Sequence, residues 1–203
     1  MPRFELAHKF LEACSVPVVA PSANLSGRPS PTTWEAVAED LDGRIDCILQ
    51  GDATEIGLES TVVDCTGDVP LLLRSGAISL AQLRAVVPET SQYFPSENEQ
   101  PLSPGLRHKH YSPAATVRLV NSKFEISHLK DAADEAAYIG LSKPNKGFKI
   151  VNIPGSVEEY ARSLFEFFRE SDRQGITRIY CEAVEEAGIG AALMDRLRRA
   201  AQG

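Results

Sequence analysis

The sequence predicts an α/β fold built from two successive units that a proline-rich segment joins. Stretches with apolar residues at helical spacing alternate along the chain with short runs of apolar, often β-branched residues that are typical of strands. The 203 residues, 43% of them hydrophobic and 24% charged, suffice for one large or two modest hydrophobic cores. We therefore expect two small domains.

The first unit, residues 1–87, mixes helices and strands. Residues 4–14 carry an apolar stripe at helical spacing, and the apolar run Val16 to Ala20 after them predicts a buried strand. A second helix is predicted to start within Ser30-Pro-Thr-Thr33, where hydroxyls surround an early proline, and to end at Gly43. Three more strands and a short helix follow, at residues 45–49, 60–65, 71–74 and 79–87.

The segment from Pro88 to Pro113 differs in composition from both units. It has five prolines and almost no apolar periodicity, which predicts an extended linker. Its basic and aromatic cluster, Arg107-His-Lys-His-Tyr111, is unusual in an acidic protein. The linker is long enough for this cluster to fold back over the first unit.

The second unit, residues 114–203, alternates strands with helices. Strands are predicted at residues 116–120, 137–141, 149–153 and 178–183, and helices near 126–135, 156–173 and 190–201. Ser156-Val-Glu-Glu159 predicts a capping box at the start of the longest helix. Regular alternation of this kind predicts a small parallel sheet of Rossmann-like type. The unit lacks a G-x-G-x-x-G or P-loop motif, so no nucleotide is assigned to it.

Charge and cysteine usage exclude several classes of protein. A net charge of −7 argues against a nonspecific nucleic-acid binder, so any RNA role is expected to be local or indirect. The four cysteines show no C-x-x-C spacing, so neither a zinc site nor a disulfide framework is indicated, and we expect reduced, buried thiols. No apolar run is long enough for a membrane helix and no signal peptide is recognisable, so a cytoplasmic protein is expected.

Two small-residue turns and one arginine form the candidate site. Ala20-Pro-Ser-Ala-Asn-Leu-Ser-Gly27 follows a predicted strand, Glu59-Ser-Thr-Val62 opens another, and Arg74 ends a third. Hydroxyls, amides and a guanidinium donate directed hydrogen bonds to phosphates and carboxylates. The polar set consists of Ser22, Asn24, Ser26, Ser30, Ser60, Thr61 and Arg74. Together these residues predict a nucleotide pocket, although each could serve a purely structural purpose.

A serine hydrolase is the competing enzyme hypothesis, with Ser22 or Ser60 as the nucleophile. The G-x-S-x-G elbow is absent, and His8, the single histidine of the first unit, has no obvious orienting carboxylate near it in sequence. We therefore assign no nucleophile.

Four motifs follow one another along the chain: Ala20-Pro-Ser-Ala-Asn-Leu-Ser-Gly-Arg-Pro-Ser-Pro-Thr32, Gly57-Leu-Glu-Ser-Thr-Val-Val-Asp64, Leu72-Leu-Arg-Ser-Gly-Ala-Ile78 and Ser103-Pro-Gly-Leu-Arg-His-Lys-His-Tyr-Ser-Pro113. Their order and spacing resemble the threonylcarbamoyl-AMP synthase family in its long form, a YrdC-like domain followed by a linker and a Rossmann-like domain. The resemblance extends to Gly188-Ile-Gly-Ala-Ala-Leu-Met-Asp-Arg-Leu-Arg198. The fold class that it implies is a partial YrdC-like twisted mixed sheet with helices, then a small Rossmann-like domain.

The resemblance implies an enzyme that condenses L-threonine, bicarbonate and ATP into threonylcarbamoyl-AMP and releases pyrophosphate. A separate transferase would then modify a tRNA adenosine beside the anticodon. Carried over by motif, the threonine side would use Ala20 and Ser60, and the ATP side Ser22, Ser30, Arg74 and Tyr111. Asn24, Ser26 and Thr61 would support them. Magnesium is expected to bridge the phosphates, although no dedicated carboxylate cage is visible in the sequence.

The resemblance also implies a departure. Family members carry a further front half of the catalytic domain, with lysine and arginine residues that grip ATP. Met1-Pro-Arg-Phe4 resembles the position just after a family arginine, and Arg3 lies on the wrong side of Pro2 to replace it. We therefore expect an N-terminally truncated chain that is poorly soluble or needs a partner, and that lacks synthase activity alone. The alternative is a noncatalytic nucleotide- or RNA-binding module, because the YrdC-like family is associated with double-stranded RNA binding.

Overall fold

The computed structural model describes residues 2, 4–94, 112–121, 135–145 and 147–202. Within these ranges the helices are α1 (Glu5–Cys14), α2 (Trp34–Leu41), α3 (Leu80–Val86), α4 (Val157–Arg173) and α5 (Ile189–Ala201). The strands are β1 (Val62–Asp64), β2 (Leu71–Arg74), β3 (Ser91–Gln92), β4 (Thr116–Val120), β5 (Ala136–Ile139), β6 (Ile150–Asn152) and β7 (Arg178–Glu182). The α/β fold class is thereby confirmed.

The first sheet has the order β1-β2-β3 and is mixed. β1 pairs antiparallel with β2, whose Leu72 and Leu73 are buried, and α3 then leads the chain to β3, which pairs parallel with β2. β3 lies inside the segment predicted to be linker, so this sheet extends past residue 87, where the first unit was expected to end.

Two of the predicted strands are wrong. Residues 16–20 and 45–49 contain no assigned strand, and their apolar side chains are exposed, up to 97% at Val19, except that of the half-buried Ile48. A run of β-branched residues forms a strand only where a neighbouring strand can complete its hydrogen-bond ladder. Neither segment has such a neighbour among the described residues, so the apolar runs do not become strands.

The second sheet is all parallel, with the order β4-β7-β5-β6, which confirms the predicted parallel sheet. Residues from α4 and α5, such as Leu164 and Leu197, are buried in one core with Ile139 and Ile179 of the sheet. The four strands predicted for this unit fall within two residues of their observed bounds. The helix predicted near residues 126–135 lies outside the described residues, apart from its last position.

The caps of the helices agree in part with prediction. Ser79 and Gln82 form the reciprocal capping box of α3. At α4 the Ser156 hydroxyl accepts a hydrogen bond from the Glu159 amide at 3.2 Å, as expected. The Glu159 carboxylate, however, accepts from the amide of Gly155 at 2.7 Å, so the predicted capping box is only half formed.

The cysteines depart from the expectation of burial. All four are free, but Cys47 and Cys65 are exposed, Cys14 is half-buried, and only Cys181 is fully buried. Cys47 lies in one of the segments that forms no strand, which explains its exposure. In the part of the chain that the structure describes, no helix has the length and apolar character needed to span a membrane.

A serine-lined candidate binding cavity

A cavity of about 940 Å³ is bounded by three separate segments of the first unit and by α4. Residues 52–60 form much of its wall, and Phe165 of α4 contributes from the second unit. Ser22, Ser30 and Ser60, which were predicted to share one pocket, all line it. The structure therefore brings together hydroxyls from two separate loops, one that carries Ser22 and Ser30 and one that carries Ser60.

Arg74 lies beside Ser60. Its Nε donates to the Ser60 carbonyl at 3.1 Å and its Nη2 donates to the Ser60 hydroxyl at 3.3 Å. The antiparallel pairing of β1 with β2 sets this proximity, because Val62 is the register partner of Arg74. The predicted convergence of Ser60 and Arg74 is thus a consequence of one strand pair.

The Ser60-Thr61 peptide is fixed by the segment after β2. The Thr61 hydroxyl donates to the carbonyl of Ile78 at 2.9 Å and accepts from its amide at 3.1 Å. A Cβ added to Gly76 would overlap the backbone nitrogen of Thr61, so only glycine allows this approach. Thr61 therefore supports Ser60. Gly76 was not among the predicted site residues, although a glycine directly after a strand, in Arg-Ser-Gly, is a signal of close backbone approach.

Ser30 is joined to Glu59 on the cavity wall. The Ser30 hydroxyl donates to Glu59 Oε1 at 2.8 Å, and the other carboxylate oxygen, Oε2, accepts from Nε of Arg196 at 2.8 Å. Arg196 belongs to α5, its side chain is fully buried, and it also donates to the carbonyl of Ser75 at 3.0 Å. A residue of the second unit therefore contacts the two segments that carry Ser60 and Arg74.

The loop between residues 20 and 28 is held by its own polar groups. Asn24 Nδ2 donates to the carbonyls of Leu25 and Arg28 at 3.0 and 3.1 Å, so this amide shapes the turn. Ser26 is exposed in the turn, and Ala20, also exposed, is not among the residues that line the cavity. Of the predicted loop residues, the cavity therefore receives Ser22 alone.

A buried ion pair attaches this loop to the second unit. Arg169 of α4 donates to Asp40 of α2 through Nη1 at 3.1 Å and Nη2 at 2.7 Å, and Nη2 also donates to the Pro29 carbonyl at 2.6 Å. Arg28 donates to the same carboxylate at 2.7 Å. Burial raises the pKa of Asp40, but the hydrogen bonds from Arg169 and Arg28 outweigh burial and hold the pKa below its ordinary value.

Comparison with known families decides the assignment. Residues 78–202 match the family model described as the C-terminal domain of threonylcarbamoyl-AMP synthase, and residues 1–76 match the Sua5/YciO/YrdC model described as telomere recombination. The chain belongs to the threonylcarbamoyl-AMP synthase family. The resemblance carried by the four sequence motifs is therefore confirmed.

Relatives of known name agree with the family. Threonylcarbamoyl-AMP synthases of Pyrococcus abyssi and Bacillus subtilis are 39% and 36% identical, over 98% and 100% of this chain. A crystal structure described as P. abyssi Sua5 complexed with L-threonine superposes with a TM-score of 0.88 at 38% identity, over the whole chain. This chain spans 62% of the length of the two named relatives and 63% of that crystallised chain.

In this member of the synthase family, the cavity wall is acidic. Among the described residues that line it, the titratable side chains are all carboxylates, those of Glu5, Asp52, Glu55 and Glu59. Such a wall favours ligand groups that donate hydrogen bonds or carry positive charge. No group of three or more histidine, cysteine, aspartate or glutamate side chains in the described ranges could hold a metal ion.

Two further predictions concern histidine and tyrosine. Contrary to expectation, His8 does have a carboxylate beside it, because Glu12 lies one helical turn onward, 3.1 Å from Nδ1. Both side chains are largely exposed and neither lines the cavity, so the pair does not restore the hydrolase hypothesis. Tyr111 lies outside the described residues, as does the rest of the basic cluster.

Proposed function

We propose that this chain provides part of the substrate site of a threonylcarbamoyl-AMP synthase, which converts L-threonine, bicarbonate and ATP into threonylcarbamoyl-AMP and pyrophosphate. The observation that carries the proposal is the convergence of Ser22, Ser30 and Ser60 on one cavity, with Arg74 bonded to Ser60. Membership of the family and the similarity to named synthases support it.

The threonine side of the site is proposed to include Ser60 and the backbone of Ala20. The Ser60 hydroxyl, which accepts from Arg74, keeps its proton to donate to a carboxylate, while the acidic wall offers acceptors to an ammonium group. An amino acid carries both of these groups. The similarity to a structure described as complexed with L-threonine supports this arrangement, although Ala20 itself lies off the cavity wall.

The nucleotide side is proposed to include Ser22, Ser30, Arg74 and Tyr111. No covalent nucleophile is required, because holding two substrates in contact and stabilising phosphate charge suffice for adenylate formation. Magnesium would enter bound to the phosphates of ATP and would offset their charge. The described residues offer no cluster to hold it, so its protein contacts are not assigned.

The proposal is tested by titrating the chain with L-threonine in a calorimeter, with and without ATP. We expect Ser60→Ala to weaken threonine binding by about tenfold, the worth of one hydrogen bond to a charged group. Ser26→Ala is the matched control, because Ser26 is another serine of the predicted polar set but does not line the cavity. Equal affinities for threonine in all three proteins would contradict the proposal.

The wider role follows from the same assignment. We propose that residues 1–87 form part of the catalytic domain and 114–203 a separate domain, and that a tRNA-modifying transferase consumes the product in the cytoplasm. Direct binding of tRNA or other double-stranded RNA is proposed to be weak, because the net charge is −7. A gel shift with tRNA tests this. A tight, strongly salt-dependent complex would favour the noncatalytic RNA-binding module instead.

A further inference from the structure

We propose that Arg196 of α5 is a positioning residue that acts on the cavity through Glu59 and fixes Ser30 as a hydrogen-bond acceptor for bound ligand. The inference rests on the proposed function, which supplies the ligands, and it adds which kind of ligand group Ser30 can bind. It also gives the second unit a defined effect on a cavity formed mainly by the first.

The geometry forms a chain of three groups. The Arg196 guanidinium, fully buried, donates to one oxygen of Glu59, whose side chain is 11% exposed, and the other oxygen accepts the Ser30 proton at 2.8 Å. Both Glu59 and Ser30 line the cavity. The guanidinium thus holds the carboxylate at the cavity wall, oriented toward Ser30.

The hydrogen-bonding capacity of Ser30 determines what it can bind. A serine hydroxyl has one proton to donate and two lone pairs to accept. Because the proton is donated to Glu59, the oxygen can offer a ligand only its lone pairs. Phosphate oxygens also accept, so Ser30 is matched to a ligand group that donates, such as an ammonium or a hydroxyl, rather than to the triphosphate.

Arg196 is needed because Glu59 is charged and nearly buried. A buried carboxylate without a counterion is strongly destabilised and takes up a proton or rearranges. Glu5, Asp52 and Glu55 on the same wall are acidic, and so is Asp195, which accepts from Arg196 Nη1 at 2.6 Å. The neighbouring cation Arg74 donates to Ser60. Loss of Arg196 should therefore release Glu59 from its present orientation.

The test replaces Ser30 with a thiol that reports its surroundings. Ser30→Cys is made in a background with Cys14, Cys47 and Cys65 changed to serine, which leaves the buried Cys181 as the second thiol. The rate of alkylation by iodoacetamide is measured against pH for Cys at position 30, with peptide mass spectrometry to identify the site. The midpoint is the pH at which the alkylation rate reaches half of its maximum. A neighbouring carboxylate raises this midpoint by about 1 unit at contact distance, because it disfavours the thiolate.

Variants of the reporter separate the proposal from a merely structural role. Glu59→Gln should lower the midpoint by about 1 unit, and Arg196→Met should lower it too, since the released carboxylate no longer faces position 30. In the Glu59→Gln background Arg196→Met should shift the midpoint no further, because Arg196 acts through Glu59. Arg198→Met is the control on the same helix: Arg198 pairs with the exposed Glu186 and should leave the midpoint unchanged. If Arg196 only stabilised the fold, its loss would expose the thiol and lower the midpoint further even in the Glu59→Gln reporter, which would overturn the proposal.

Ligand protection then identifies the donor group. L-threonine, adenosine and inorganic pyrophosphate are added separately to the Ser30→Cys reporter. Protection by threonine or adenosine, which carry donors, is expected, and protection by pyrophosphate alone would contradict the assignment. If the midpoints respond to positions 59 and 196 but no ligand protects, the positioning holds and the proposed function fails. If threonine binds but the midpoints do not respond, the inference fails and the proposed function stands.

Discussion

Replacing Arg169 with methionine tests whether the second unit holds the serine-containing loop in place. The side chains of Asp40 and Arg169 are 0% and 3% exposed, and breaking such a buried pair costs about 3–5 kcal/mol. Arg28 remains bonded to Asp40 and is half exposed, so we expect the lower end, about 3 kcal/mol. For a chain of this size that is a drop in Tm of about 6–12 °C.

The pH dependence of the loss follows from the ionisation of Asp40. Its pKa is held below the ordinary value in the folded protein, so the ion pair contributes stability above the unfolded pKa, about 3.9, and loses it as pH falls through the folded value. The difference in stability between wild type and Arg169→Met should therefore be largest near neutral pH. It should shrink as the pH is lowered below about 4.

The assay is thermal unfolding by circular dichroism at several pH values, with Arg173→Met as the control. Arg173 lies on the same helix and pairs with Glu39, Glu166 and Glu170, but its side chain is 39% exposed, so its loss should cost about 1 kcal/mol or less. The reasoning is refuted if the two variants lose the same stability, or if the loss in Arg169→Met does not depend on pH.

The other predictions concern a tight turn, the thiols and a buried hydroxyl. Gly57 has φ +77°, and a Cβ added to it would overlap the backbone of α4. Gly57→Ala should therefore lower the free energy of unfolding in urea by at least about 2 kcal/mol more than Gly43→Ala, because Gly43 has φ +71° but open space around it. Iodoacetamide should label exposed Cys65 in the native protein and leave Cys181, whose pKa is raised by burial, unlabelled until the protein unfolds. Equal labelling of both thiols in the native protein, detected by mass spectrometry, would contradict the packing. Tyr160→Phe removes a hydroxyl that donates to carbonyls of β5 and β7, so we expect a loss of about 1–3 kcal/mol in urea, and an unchanged midpoint would show these bonds to be unimportant.

Local pattern was sufficient to predict much of the fold. The strand β4 and the helix α4 match their predicted bounds to within a residue, because apolar periodicity and a capping serine are local signals. The runs at residues 16–20 and 45–49 carry the same apolar signal but form no strand. Pairing depends on a second segment of chain, and no pattern inside either run contains that information.

The site was predicted in part for the same reason. Turns rich in small hydroxyl residues mark where a chain offers hydrogen bonds, and Ser22, Ser30 and Ser60 do meet at one cavity. The arginines that fix the segments around the cavity were not predicted. Arg169 donates to Asp40, which lies 129 positions earlier in the chain, and Arg196 donates to Glu59, 137 positions earlier. Contacts at such separations leave no periodic trace in the sequence.

The central claim is that the serine-lined cavity receives an amino-acid substrate at Ser60. A crystal structure of this chain grown with L-threonine tests it most directly. The account predicts threonine inside the cavity, with its carboxylate within hydrogen-bond distance of the Ser60 hydroxyl and its ammonium group facing the acidic wall. Threonine bound elsewhere on the chain, or lying in the cavity without contact to Ser60, would contradict it.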